Sequence, residues 1–300
     1  MIEKTIYKPG IHNITNEEYH GSAGISRSGI AEFKKCPKKF WNKYLNPNYI
    51  PDPSSKALIL GNAFHTLVLE PKEFTNRYFV QEEDAIITGK PLLLKDVGRE
   101  AFEEDKKRIA NLQALKAERD KKNELLSKGK TILKWNDYHT IEKMGFSIYK
   151  DEECSGLIEG AQYEQSIYWI DEETQILCKV RPDIMHENFI VDLKTTSDAS
   201  YKAFQRDLFN YNYHIQMAMI QEAIRCTQDK LITDFIVLAV EKEEPFCHTI
   251  YIMDDLIIEK GMQEFKNHLR NIKECFDNDQ WPSYPSQIIT LPSYAKFEEL

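Results

Sequence analysis

Two carboxylates and a lysine lie close together in the second half of the chain. Arg181-Pro182-Asp183 is followed, after eight intervening residues, by Asp192-Leu193-Lys194. The stretch predicts two short strands and a tight connection. Side chains two apart on a strand share a face, so Asp192 and Lys194 point one way and Leu193 the other. With the turn centred on His186-Glu187, Asp183 faces Ile190, and Asp192 is its diagonal neighbour, ~7–8 Å away at the backbone. A one-residue slip would move Asp192 to the opposite face. Two converging carboxylates suit a hard divalent cation such as magnesium. A lysine beside them can hold a water or a phosphate oxygen. Together they make a minimal kit for metal-assisted phosphodiester hydrolysis.

An exposed strand with alternating charges would carry the same triplet, so the reading needs further residues. Glu164 begins a neighbouring strand, with Ser166 and Tyr168 on its face. It offers a third carboxylate that could complete the metal site or hold a second ion. His65 lies in the apolar helical run Gly61-Asn62-Ala63-Phe64-His65-Thr66-Leu67, where a histidine serves either as a core residue or as a ligand. Gln216 follows in Tyr211-Asn212-Tyr213-His214-Ile215-Gln216. A helix packed over the strand ends could aim Gln216, Tyr213 or Tyr211 at DNA phosphates.

These residues need elements to position them. Residues 1–25 read as loop. Ser26 is a helix N-cap for 27–44, which is rich in basic residues and interrupted at Cys36-Pro37. Arg27, Lys38 and Lys39 on it form a candidate DNA-facing surface, with Arg27 placed to meet a terminal phosphate. The run 58–69 is helical and ends at Glu70-Pro71. Short strands and loops are expected at 72–95, a charged solvated helix or insertion at 96–128, and a helix at 134–153. Strands follow at 163–170, 175–181 and 188–194, the first pair joined at Asp171-Glu172-Glu173. A long helix at 199–226, strands at 231–240 and 246–253, a helix at 254–277 and an extended tail after Trp281-Pro282 complete the chain. The pattern predicts one α/β domain. Residues 1–155 are its mainly helical N-terminal part, 156–280 a mixed sheet with flanking helices, and 281–300 the tail.

The totals fit that reading. Three hundred residues with 42% apolar content can bury a sizeable core, and the 29% charged fraction is ordinary for a soluble protein. The beginning of the chain shows no signal peptide, and no apolar run is long enough to span a membrane. The six cysteines never form C-x-x-C, which argues against cysteine-pair zinc or iron–sulfur sites and for reduced thiols in cytoplasm. A net charge of −9 argues against non-specific coating of nucleic acid, but a local basic surface can still serve DNA while carboxylates hold metal.

The chain resembles the exodeoxyribonuclease VIII (RecE-type) branch of the PD-(D/E)xK nuclease superfamily, known from phage and prophage recombination modules. The matching stretches run in order from Tyr19-His20 and Gly24-Ile25-Ser26 through Leu60 to Pro71, Glu164 to Trp169, Arg181-Pro182-Asp183 and Asp192 to Thr196, ending at Tyr213-His214-Ile215-Gln216. The resemblance implies a magnesium-dependent exonuclease, with manganese able to substitute, that degrades duplex DNA 5′ to 3′ from its ends and leaves 3′ single-stranded tails. It implies metal-site roles for His65, Asp183, Asp192 and the Leu193 carbonyl, with Glu164 at an acidic position used by some relatives. Lys194 would be the catalytic lysine and Gln216 the glutamine of the helical motif. The aromatic that often follows that glutamine by four residues is Ile220 here. A ring-shaped homo-oligomer around DNA, a single-strand annealing partner and the cytoplasm of a bacterial host are implied as well. Lys194 could act as a base, if burial lowers its pKa from ~10.4, or as a charged stabiliser. The rival readings are an endonuclease of the same superfamily, a non-catalytic DNA-end-binding recombination scaffold and a metal-free interaction domain.

Overall fold

The computed structural model describes residues 4–81, 99–127 and 129–290. Expectations for 82–98 and for the last ten residues of the tail lie outside the described residues. In chain order the elements are β1 (Gly10–His12), α1 (Asn16–Gly21), α2 (Arg27–Lys35), α3 (Pro37–Tyr44), α4 (Lys56–Leu69), α5 (Pro71–Arg77), β2 (Tyr78–Gln81), α6 (Arg99–Leu126), β3 (Thr131–Lys134), α7 (Trp135–Tyr149) and α8 (Glu152–Ile158). The second half contains β4 (Gln162–Tyr163), β5 (Ser166–Ile170), β6 (Leu177–Val180), β7 (Ile184–Met185), β8 (Phe189–Thr196), α9 (Tyr201–Asn210), α10 (Tyr213–Gln228), β9 (Asp234–Glu241), β10 (His248–Ile252) and α11 (Asp255–Asn278).

A five-stranded mixed sheet in the order β10-β9-β8-β7-β4 is the centre of the fold; only its β8–β9 pair is parallel. The α9–α10 pair makes the crossover that a parallel connection requires. A three-stranded antiparallel sheet, β1-β5-β6, lies beside it, and β2 and β3 form a parallel pair. The apolar residues of β8 alternate between two cores. Ile190 packs with β5, β6, α10 and α11, whereas Val191 and Leu193 pack with α4, α7 and α8. Strand alternation between two buried faces therefore sends Asp192 and Lys194 toward the α10 side. The expected α/β class with a mixed sheet and flanking helices is what the structure shows. Among the described residues, no helix is long and apolar enough to cross a membrane.

Several details differ from the sequence reading. Residues 1–25 hold a strand and a helix. Thr15 caps α1 in a reciprocal capping box with Glu18, and β1 extends the three-stranded sheet. The run 163–170 is not one strand: β4 belongs to the large sheet and β5 to the small one, and between them Glu164 has φ +52. The long helix at 199–226 is two, because Asn212 adopts the left-handed conformation that ends one helix and starts the next. The interruption expected at Cys36-Pro37 is present: Cys36 separates α2 from α3, with Pro37 at the first position of α3, where proline's missing N–H costs nothing.

The register of the β7–β8 hairpin differs as well. Ile184 pairs with Val191 and Met185 with Ile190, and His186 N–H donates to the Phe189 carbonyl. The turn is therefore Glu187-Asn188, one residue later than expected. Continuing this register puts Asp183 directly opposite Asp192 instead of opposite Ile190. The shift moves the pairing by two residues, so the side chains keep their face.

Candidate active site

The site forms where the chain changes sheets twice. It leaves β4 for β5 at Glu164, and returns from β6 to β7 through Arg181-Pro182-Asp183. The two crossings touch: Glu164 N–H donates to the Asp183 carbonyl at 3.0 Å. Beyond Ile184 the β7 edge of β8 has no strand partner among the described residues, and the Asp183 side chain takes that place. Leu193 N–H donates to Asp183 Oδ2 at 2.9 Å. The N–H and C=O of a strand residue point to the same edge, so the Leu193 carbonyl opens toward the same spot.

His65 reaches this edge from α4. That helix runs close over β8: a Cβ built on Gly61 would lie 3.6 Å from Thr195 Oγ1. One turn later His65 Nδ1 is 3.7 Å from Asp183 Oδ2, and its ring also meets the Leu193 backbone. One ligand atom each from His65, Glu164 and Asp183 lie within 4.8 Å of one another.

Asp192 stands just outside this trio. Its side chain is fully buried, Oδ1 accepts from Gln216 Nε2 at 2.8 Å, and the Lys194 ammonium contacts Oδ2. Lys194 Nζ is also 3.8 Å from Asp183 Oδ2 and 5.1 Å from the centre of the Tyr213 ring. All of the residues singled out from the sequence for metal or chemistry thus converge, with His65, Glu164 and Asp183 the tightest set.

Arg27 joins this end of the molecule, its guanidinium donating to the Tyr211 carbonyl at 3.3 Å. Lys38 and Lys39 do not. They lie on α3, past the Cys36 break, against the tail. Lys38 N–H donates to the Pro282 carbonyl, and Lys39 Nζ sits 5.6 Å from the Tyr284 ring centre. The expected single basic surface is therefore divided.

Sequence reasoning missed Arg181 as part of the site. Its Nε donates to Glu164 Oε2 at 2.7 Å, and one terminal nitrogen donates to Ser166 Oγ at 2.8 Å and the Ile14 carbonyl at 3.0 Å. Its side chain is 6% exposed. The signal was its place in the Arg-Pro-Asp triplet, but the partner that explains it is 17 residues earlier.

Electrostatics mark the cluster as short of positive charge. Burial, with the Asp183 carboxylate adding to it, pushes Glu164 up to about 7 despite Arg181. Burial raises Asp192 to about 6, opposed by Lys194. Desolvation and the Lys194 charge lower His65 to about 4, which leaves its imidazole neutral and able to act as a ligand at neutral pH. Burial alone would lower Lys194, but Asp192 and Asp183 outweigh it and hold the ammonium above its ordinary value. The donor set is two or three carboxylates, a backbone carbonyl and one imidazole. That composition fits a hard divalent cation such as Mg²⁺ or Mn²⁺.

Comparison with known proteins agrees with this fold. Residues 26–291 match the family described as "PDDEXK-like domain of unknown function (DUF3799)". A crystal structure of a "Putative exonuclease" from Eubacterium rectale superposes with a TM-score of 0.58 at 16% identity, covering 94% of this chain and 96% of the other. At that identity the likeness is one of fold. No curated protein matches the chain.

Proposed function

The chain belongs to the PDDEXK-like family, and on that premise we propose that it is a metal-dependent deoxyribonuclease acting on the ends of duplex DNA. The observation that carries the proposal is the convergence of His65, Glu164 and Asp183 beside a charged Lys194, at the β7 edge of β8 where, among the described residues, no strand pairs with Leu193. A Mg²⁺ or Mn²⁺ ion held by these groups, with Asp192 next to them, would polarise the scissile phosphate and stabilise the leaving oxygen.

The remaining work falls to the chain's own residues. Leu193 N–H orients the Asp183 carboxylate, and Arg181 orients that of Glu164. Gln216 fixes one oxygen of Asp192, and Lys194 lies against the other. Lys194, held protonated by two carboxylates in the metal-free fold, is placed to position the attacking water or a phosphate oxygen. Gln216 acts through Asp192 and is a positioning residue. Arg27 and Tyr213, at the same end, are the candidates for phosphate contact.

The finer reading rests on the resemblance to RecE-type exonucleases: 5′-to-3′ polarity, 3′ tails, a ring-shaped oligomer around DNA and a single-strand annealing partner. Digestion of a linear duplex labelled at either the 5′ or the 3′ end, with and without Mg²⁺, tests it. Early release of the 5′ label only with Mg²⁺ supports the full proposal, while early release of the 3′ label reverses the polarity. Linearisation of closed circular duplex would identify an endonuclease instead. Absence of any cleavage by folded protein with either Mg²⁺ or Mn²⁺ would overturn the enzyme reading.

A further inference from the structure

A second group of metal-ligating side chains lies apart from this cluster. Asp151 caps the N-terminus of α8, and Cys154 follows three residues later in its first turn. His248 is the first residue of β10, the edge strand of the large sheet. One ligand atom from each of the three lies within 4.8 Å of the others. His248 Nε2 is 3.4 Å from Asp151 Oδ2, and the Cys154 thiol turns to the same carboxylate.

Several features set this trio apart from a chance surface contact. Cys154 is 1% exposed, and it belongs to the core beneath the sheet. His248 Nδ1 is buried and has no hydrogen-bond partner among the described residues. Asp151 is anchored: its Oδ1 accepts from the N–H groups of Glu153 and Cys154, leaving Oδ2 to face the histidine. Its side chain is 43% exposed and gives access from solvent. The three groups come from the two ends of a long sequence separation, so no close cysteine pair announces them.

We propose that Asp151, Cys154 and His248 form a Zn²⁺ site that clamps α8 to β10, with a water in the fourth position. One sulfur, one nitrogen and one oxygen are donors that Zn²⁺ accepts in tetrahedral geometry. The same set is poor for Mg²⁺, which takes oxygen ligands and near-octahedral geometry. The chain would thus hold two centres of different metal preference. Burial pushes the Cys154 thiol up to about 12, so binding must displace its proton, and affinity rises with pH. This site does not depend on the nuclease reading.

The test is Co²⁺ titration of the full chain after chelator treatment, followed by absorption spectroscopy. Wild type and Asp183→Asn are expected to develop a sulfur-to-cobalt charge-transfer band with visible ligand-field bands of tetrahedral intensity, and Zn²⁺ should abolish both. Cys154→Ser should lose the charge-transfer band. Because Cys154 is buried, the half-buried His248→Asn provides an independent variant. Its Co²⁺ affinity should fall roughly 100-fold or more, beyond the loss typical of altering a group behind the ligands. No charge-transfer band in folded wild type would overturn the proposal. A band that persists at unchanged affinity in either folded variant would do the same, by assigning it to another cysteine.

Discussion

The Arg181 guanidinium donates to Glu164 Oε2 at 2.7 Å, joining the two points at which the chain changes sheets. Glu164 sits there with φ +52, a conformation that costs a non-glycine residue on the order of 1 kcal/mol or more. The ion pair and the Glu164 N–H bond to the Asp183 carbonyl hold it in place. Arg181 also ties in β5 through Ser166 and the N-terminal segment through Ile14.

Arg181→Met should therefore lower stability by about 2–4 kcal/mol, the range expected when a buried, hydrogen-bonded ion is removed. Glu164→Gln in the same chain should recover part of that loss, since the two groups are in contact and their effects are not additive. Denaturant unfolding of the four proteins in the cycle measures the coupling. Strict additivity would show that the pair does not act as a unit.

Lys194 is the charged group of the proposed mechanism, and Asp192 is its buried partner. Lys194→Ala removes the charged group next to the phosphate. It is expected to lower the rate of duplex digestion by about 10²–10³-fold, the scale seen when one preorganised electrostatic contact to a transition state is lost. Gln216→Ala should cost less, because Asp192 keeps its contact with Lys194. Full digestion by Lys194→Ala would remove the lysine from the mechanism.

Metal binding should strengthen as pH rises through neutrality. Glu164 moves from 4.5 to about 7 and Asp192 from 3.8 to about 6 in the metal-free fold. A carboxyl whose folded pKa is raised adds stability that is fully present below its unfolded value and lost as pH rises through the folded one. A divalent cation restores that loss but must displace the proton from Glu164 below about 7. The Tm gain from Mg²⁺ should thus be small at pH 5.5 and grow toward pH 8, with proton release visible by calorimetry in buffers of different ionisation enthalpy. A Tm gain independent of pH would separate the metal from these carboxylates.

Much of this site was legible because its parts are local patterns. Alternation in β8 put Asp192 and Lys194 on one face, and the apolar run 58–69 within α4 exposed His65 as its one titratable side chain. Other features depend on a single backbone conformation. Nothing in Tyr163-Glu164-Gln165 marks Glu164 as left-handed, so two strands read as one. Asn212 was a fairer signal, since asparagine tolerates that conformation, but the apolar period continues across it. The turn at Glu187-Asn188 was also available from asparagine's turn preference, and reading it would have placed Asp183 opposite Asp192. The Arg181–Glu164 pair could not be read, because it requires knowing that both strands change sheets at the same level.

The divided basic surface makes its own prediction. Arg27 lies with Tyr211 at the site, whereas Lys38 and Lys39 contact the tail. Arg27→Ala should weaken duplex binding and reduce the slope of log K against log salt by about one contact's worth, ~0.9. Charge reversal at Lys38 and Lys39 should change that slope less than Arg27→Ala does. Binding measured by fluorescence anisotropy over a salt series decides the matter, and a larger effect from the lysines would return α3 to the DNA path.

The position of α10 offers the sharpest test of how packing supports the site. α10 and α11 approach so closely that a Cβ built on Gly261 would lie 2.1 Å from the His214 carbonyl oxygen and 2.6 Å from its carbon. Those atoms are backbone and cannot rotate aside, so Gly261→Ala must push the helices apart. Overpacking of this kind costs about 1–3 kcal/mol or more. His214 is in the first turn of α10, two residues before Gln216, so the displacement passes to the bond between Gln216 and Asp192. Gly261→Ala should therefore lose both stability and cleavage rate, even well below its lowered Tm. Gly156→Ala, on α8 with nothing within 4 Å of an added Cβ, is the control and should lose neither. If Gly261→Ala kept wild-type stability, the close approach of α10 and α11 would not constrain the site.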